Sequence, residues 1–109
     1  MRDVFKAIAD PTRREILMML AQEPSSVNVI AEKFEMTRPA VAKHLKVLVE
    51  CQLVVMETDA TDGRQRNCFA QLDALQDVDA YLRALEQFWR GKLNRLGKFL
   101  DKKKEEDKS

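Results

Sequence analysis

Cysteine is scarce in this chain: Cys51 and Cys68 are the only two among 109 residues, too few for a disulfide scaffold and too far apart for a close-spaced zinc pair. A reducing compartment fits that usage. Glycine and proline number three each, which excludes collagen-like and Pro/Gly-rich disordered chains, and the single histidine stands at position 44. Long apolar runs are missing too. The longest, 16–21, falls far short of the roughly 20 residues that span a bilayer, and Met1-Arg2-Asp3-Val4 lacks the apolar core of a secretory signal. The expectation is a cytoplasmic protein with no membrane partner. Nor is there an excess of charge of one sign: 19 Lys and Arg face 18 Asp and Glu, a formal net charge of +1, so any basic surface must be local.

What is present is 45% hydrophobic and 34% charged residues, the composition of a compact domain with a charged surface. A chain of this size hides only about two-thirds of its unfolded surface, which leaves little room for a substrate cavity and favours pairing with a second copy. The expected organisation is one domain over 1–100, followed by a tail over 101–109 with four positive and four negative charges, no apolar residue and no fixed structure.

Apolar spacing and helix punctuation give the order of elements. Val4, Phe5 and Ile8 share one side of a short helix that ends at Asp10-Pro11, an N-cap followed by proline in the first turn of the next helix. Ile16, Leu17 and Leu20 form the stripe of that second helix, which runs to Gln22 before Pro24-Ser25-Ser26 breaks it. Ser26 caps a third, two-turn helix carrying Val27, Ile30 and Phe34; after Glu35 and Met36, Thr37 caps a fourth, with Val41, Leu45 and Leu48 as its buried stripe. Leu53-Val54-Val55-Met56 is β-rich, Asp62-Gly63 signals a hairpin, and 66–70 returns as the partner strand of a two-stranded wing. A long helix follows, with Val78, Leu82, Leu85, Trp89, Leu93, Leu96 and Leu100 at steps of three and four. The fold class is mainly α with a small β-hairpin: a winged helix-turn-helix with a long C-terminal dimerisation helix.

That order places a recognition helix at 37–50, where Arg38, Lys43 and Lys46 concentrate positive charge with no acidic residue between Thr37 and Leu48. On a 100° wheel Pro39, Lys43 and Lys46 lie opposite the apolar stripe, while His44 borders both faces. Thr37, Arg38 and Ala40 occupy the first turn, where recognition helices touch base edges, so Arg38 is the expected base reader and the two lysines the expected phosphate contacts. Arg64, Gln65 and Arg66 at the wing tip, within 58–68, add positioning contacts, weakened by Asp59 and Asp62.

Asp10-Pro11-Thr12-Arg13-Arg14-Glu15-Ile16-Leu17, then Arg38-Pro39-Ala40-Val41-Ala42-Lys43-His44-Leu45-Lys46-Val47-Leu48, then Gly63-Arg64-Gln65-Arg66 resemble the ArsR/SmtB family of bacterial winged-helix repressors. The resemblance covers Phe5 to about Leu100, and implies a homodimeric, often autoregulating repressor that binds a palindromic DNA operator. It departs from the metal-sensing members. No cysteine pair stands in 25–32 and no histidine on the last helix, so the chain is similar to the metal-independent branch, with no metal and no cofactor expected.

Other readings of the same residues remain. Arg13 and Arg14 suit structural ion pairs with Asp10 or Glu15, His44 suits a bond to a carbonyl or phosphate, and both cysteines suit buried, inert thiols. Gly91 and Gly97 mark either a close helix approach or a bend. A domain this small cannot cover the whole last helix. Its stripe at Val78, Leu82, Leu85, Trp89, Leu93 and Leu96, with Phe5 and Ile8, is the expected homodimer interface. No phosphate loop or nucleophile-and-base pairing suggests an enzyme; the alternative to a DNA reader is a winged-helix module that docks a protein partner.

Overall fold

The computed structural model describes residues 3–61, 63 and 65–107, with side chains to 104. Asp62, Arg64 and the last two residues of the expected tail lie outside the described residues. The chain divides into two compact units, 1–76 and 77–109.

The first unit begins with α1 (Val4–Ala9) and α2 (Pro11–Gln22). Asp10 separates them: its extended backbone ends α1, and its carboxylate accepts from the Arg13 N–H at 3.1 Å as the cap of α2. A two-residue strand, β1 (Ser25–Ser26), leads into α3 (Val27–Lys33), where the Ser26 hydroxyl accepts from the Val29 N–H at 3.2 Å. Then come α4 (Arg38–Glu50), capped by Thr37 on the Ala40 N–H at 3.3 Å, β2 (Val54–Thr58) and β3 (Arg66–Ala70). A single turn of 3-10 helix (Leu72–Leu75) closes the unit.

Both helices of the helix-turn-helix stop in the same way. After α3, Met36 N–H donates to the Ala31 carbonyl and Glu35 N–H to Glu32; after α4, Leu53 N–H donates to Leu48 and Gln52 N–H to Val49. These paired bonds are Schellman motifs, which require a left-handed residue, and here Glu35 (φ 53°) and Gln52 (φ 60°) supply it without glycine. The first sets the tight turn between α3 and α4; the second aims the chain from α4 into the wing.

The wing has three strands rather than two. β3 lies between β1 and β2, antiparallel to both, with Ser25 opposite Cys68, Ser26 opposite Asn67, and Val54 opposite Ala70. A two-residue segment is too short to show alternation, which is why Ser25 and Ser26 read as a helix break and a cap and not as a strand. Ile16, Leu20, Ile30, Val41, Leu45 and Leu48 meet Leu53, Val54 and Cys68 in the core. The stripes expected on α2 and α4 are thus the buried faces, and the sheet holds the wing to the helices through Val54 and Cys68.

The second unit holds all but the first residue of α5 (Gln76–Asp107), a helix of 32 residues. It continues through 101–107, where lysine, glutamate and aspartate favour or tolerate the helical state. Ion pairs Asp79–Arg83 and Glu86–Arg90 brace its surface at i,i+4 spacing, and the Lys92 ammonium lies 5.2 Å from the Phe88 ring centre. Space is open around a Cβ built at Gly91 or at Gly97. No helix among the described residues is long and apolar enough to cross a membrane.

Candidate nucleic-acid interface

The caps and turns of the first unit present one face of α4 to solvent. Val41, Leu45 and Leu48 are buried beneath it, whereas Thr37, Arg38, Pro39, Lys43 and Lys46 are exposed and Ala40 and His44 half-buried. Among the described residues, no ion pair engages Arg38, Lys43, Lys46 or Arg66.

Not every expected contact residue converges. Arg38, Pro39 and Lys46 share a groove with Gln65 and Arg66 of the wing. Thr37, Ala40, Lys43 and His44 lie outside it, and the Thr37 hydroxyl is occupied as the cap acceptor for Ala40. The Asp10 carboxyl at the start of α2 is held below its ordinary range mainly by the Arg13 backbone N–H, with His44 the smallest of the contributors. Arg64 lies outside the described residues. The wing tip is shaped by Asp59, whose carboxylate accepts from the Thr61 N–H at 2.8 Å and its hydroxyl at 2.6 Å, while Asp59 N–H donates to the Gln65 carbonyl at 2.8 Å.

Sequence reasoning missed the groove's apolar wall and the carboxylate within it. Val49 follows the buried Leu48 by 100° on the wheel and is 39% exposed beside Met56, while Glu50 is the acidic member of the lining. The signal was an apolar residue one step off the stripe.

Arg13 and Arg14 take structural roles. Arg13 Nε donates to the Ala7 carbonyl at 2.7 Å and Nη2 to Lys6 at 3.0 Å, with Asp10 at 3.9 Å, and Arg14 Nη1 donates to Ile8 at 2.8 Å and Ala9 at 3.2 Å. Together they satisfy carbonyls at the end of α1. Both cysteines are buried free thiols. Burial pushes the Cys68 thiol up to about 11, whereas nearby Arg66 pulls it the other way. Cys51 Sγ donates to the Asp3 carbonyl at 3.6 Å.

Among the expected interface residues, Leu82, Leu85, Trp89, Leu93 and Leu96 on α5 are 48–58% exposed. Val78 is half-buried. On α1, Phe5 is 41% exposed and Ile8 packs on the core. No group of three or more metal-ligating side chains gathers among the described residues.

A short helix, a tight turn, a cationic second helix and a three-stranded wing define a winged helix-turn-helix transcription regulator of the DNA-binding class. Residues 10–55 match the profile of the bacterial regulatory protein, arsR family. An HTH-type transcriptional regulator of Mycobacterium tuberculosis is 36% identical over 97 residues, 89% of this chain and 85% of that protein. The transcriptional repressor SdpR of Bacillus subtilis is 41% identical over 54 residues, 50% of this chain and 60% of SdpR. An ArsR-like transcriptional regulator from Rhodococcus superposes with a TM-score of 0.67 at 31% identity, covering 85% of each chain. This chain belongs to the ArsR family.

Proposed function

We propose that this chain is a homodimeric repressor that reads a pseudo-palindromic DNA operator, α4 entering the major groove and the wing over 58–68 lying on the flanking backbone. The observation that carries the reading is the set of cations Arg38, Lys43 and Lys46 on the exposed face of α4, none of them in an ion pair among the described residues. Arg38, in the first turn, makes the bidentate base contact; Lys43, Lys46 and Arg66 neutralise phosphates, and Arg64 and Gln65 complete the wing contact. Thr37, Pro39, Ala40 and His44 lie on or beside the same reading surface.

The exposed stripe of α5 supports the dimer, because Leu82, Leu85, Trp89, Leu93 and Leu96 gain most by packing on their symmetry mates. Two copies then place their recognition helices about 34 Å apart, one turn of DNA. The reading is of a cytoplasmic, non-enzymatic regulator that works without metal or cofactor and represses by occluding a promoter, its own included.

Selection from a random DNA pool, with salt titration of the winning duplex and mass measurement of the free protein, tests this. A two-fold symmetric motif, steep salt dependence and twice the chain mass are the expected results. No enriched motif at low salt overturns the reading in favour of a protein-docking module.

A further inference from the structure

The groove beside α4 carries chemistry that phosphate contacts leave unused. It lies between the start of α3, α4 and the wing, and is an open cleft of about 560 Å³, within the range of small-molecule sites. Its wall is apolar: Pro39, Ala42, Val49 and Met56 line it, Val49 at 39% exposure. Among the described residues its lining holds Arg38, Lys46 and Arg66 against one carboxylate, Glu50.

We propose that this groove binds a small organic carboxylate with an apolar body, and that ligand and DNA exclude one another there. The charges select the head group, because three cations against one carboxylate attract an anion and repel a cation. The wall selects the body, since apolar groups gain nothing from a phosphate and gain from covering by hydrocarbon. Exclusion follows from shared residues: Arg38 and Lys46 cannot hold a ligand carboxylate and the operator together. That last step rests on the operator reading above; the ligand site does not.

The test titrates octanoate and 4-phenylbutyrate into the isotope-labelled full chain without DNA, followed by backbone amide resonances. Saturating shifts at Ala42, Val49 and Met56 are expected, with octan-1-ol binding at least about tenfold more weakly because it lacks the charge. Val49→Glu, which sets a carboxylate into the wall, and Arg66→Ala, at an exposed position, each weaken octanoate binding about tenfold. No saturating shift with either acid, equal binding of octan-1-ol, or shifts confined to α5 overturns the site. Octanoate bound in the groove without releasing the selected duplex overturns the exclusion alone. Absence of any operator leaves the ligand measurement unaffected.

Discussion

Arg13 ties the start of α2 to the end of α1: its Nε donates to the Ala7 carbonyl at 2.7 Å while its guanidinium stays 3.9 Å from the Asp10 carboxylate. The side chain is 19% exposed, so these bonds form in a partly shielded place. Arg13→Ala leaves the Ala7 carbonyl without its charged donor and costs about 1–2 kcal/mol. Urea denaturation should show the loss, while operator affinity measured well below the transition stays at the parent value. A large loss of DNA affinity in the folded variant would place Arg13 on the DNA instead.

Asp10 couples the same junction to pH. The Arg13 backbone N–H holds its carboxyl below the ordinary carboxylate range; desolvation opposes it, and the charge of Arg13 adds a smaller downward pull. A depressed folded value means that the contribution is fully present above the unfolded value of about 4 and is lost as pH falls through the folded one. Asp10→Asn keeps a good cap but not the charge, so its acid unfolding curve between about pH 5 and 2 should be shallower. Identical curves for parent and variant would refute the linkage.

Much of this first unit is legible in the chain because local rules and packing agree there. Asp10, Ser26 and Thr37 cap helices as their side-chain chemistry demands, and Ile16, Leu20, Val41 and Leu45 are buried where helical spacing puts them. The sequence hides what depends on a distant partner. Ser25 and Ser26 become a strand only because Cys68 and Asn67 offer an edge, and the groove exists only where α4 meets the wing. Glu35 and Gln52 carry no local sign of a positive φ, because neither is the glycine that usually ends a helix this way; the Schellman bonds after α3 and α4 require it.

That imposed conformation is open to relief. A left-handed backbone disfavours any residue with a Cβ, so Glu35→Gly should raise stability by about 0.5–1 kcal/mol despite the added freedom of the unfolded chain. Glu35→Val, β-branched at the same φ, should lower it. Denaturant midpoints for the pair check the sign, and a destabilised glycine variant would contradict the Schellman assignment.

The cysteines should behave as core atoms. With the Cys68 thiol pushed up to about 11, almost none is thiolate at pH 8, and both side chains are shielded. Iodoacetamide at that pH should label the native protein far more slowly than the urea-unfolded one, by orders of magnitude, as read by intact mass. Rapid labelling of the native chain would show an accessible, reactive thiol instead.

Arg38 and Lys43 separate reading from attraction. Both are exposed cations on α4, but Arg38 stands in the first turn on the groove side, whereas Lys43 lies outside the groove and offers only a point charge. Arg38→Ala should cost about 1–3 kcal/mol on the selected operator and little on random duplex, because a bidentate base contact is sequence-dependent. Lys43→Ala should weaken both duplexes alike and lower the salt slope by about one, because it removes one phosphate contact. Fluorescence anisotropy with both duplexes at several salt concentrations reads the two effects separately. Equal losses on both duplexes for Arg38→Ala would move it among the phosphate contacts and leave base reading to another residue of the same face.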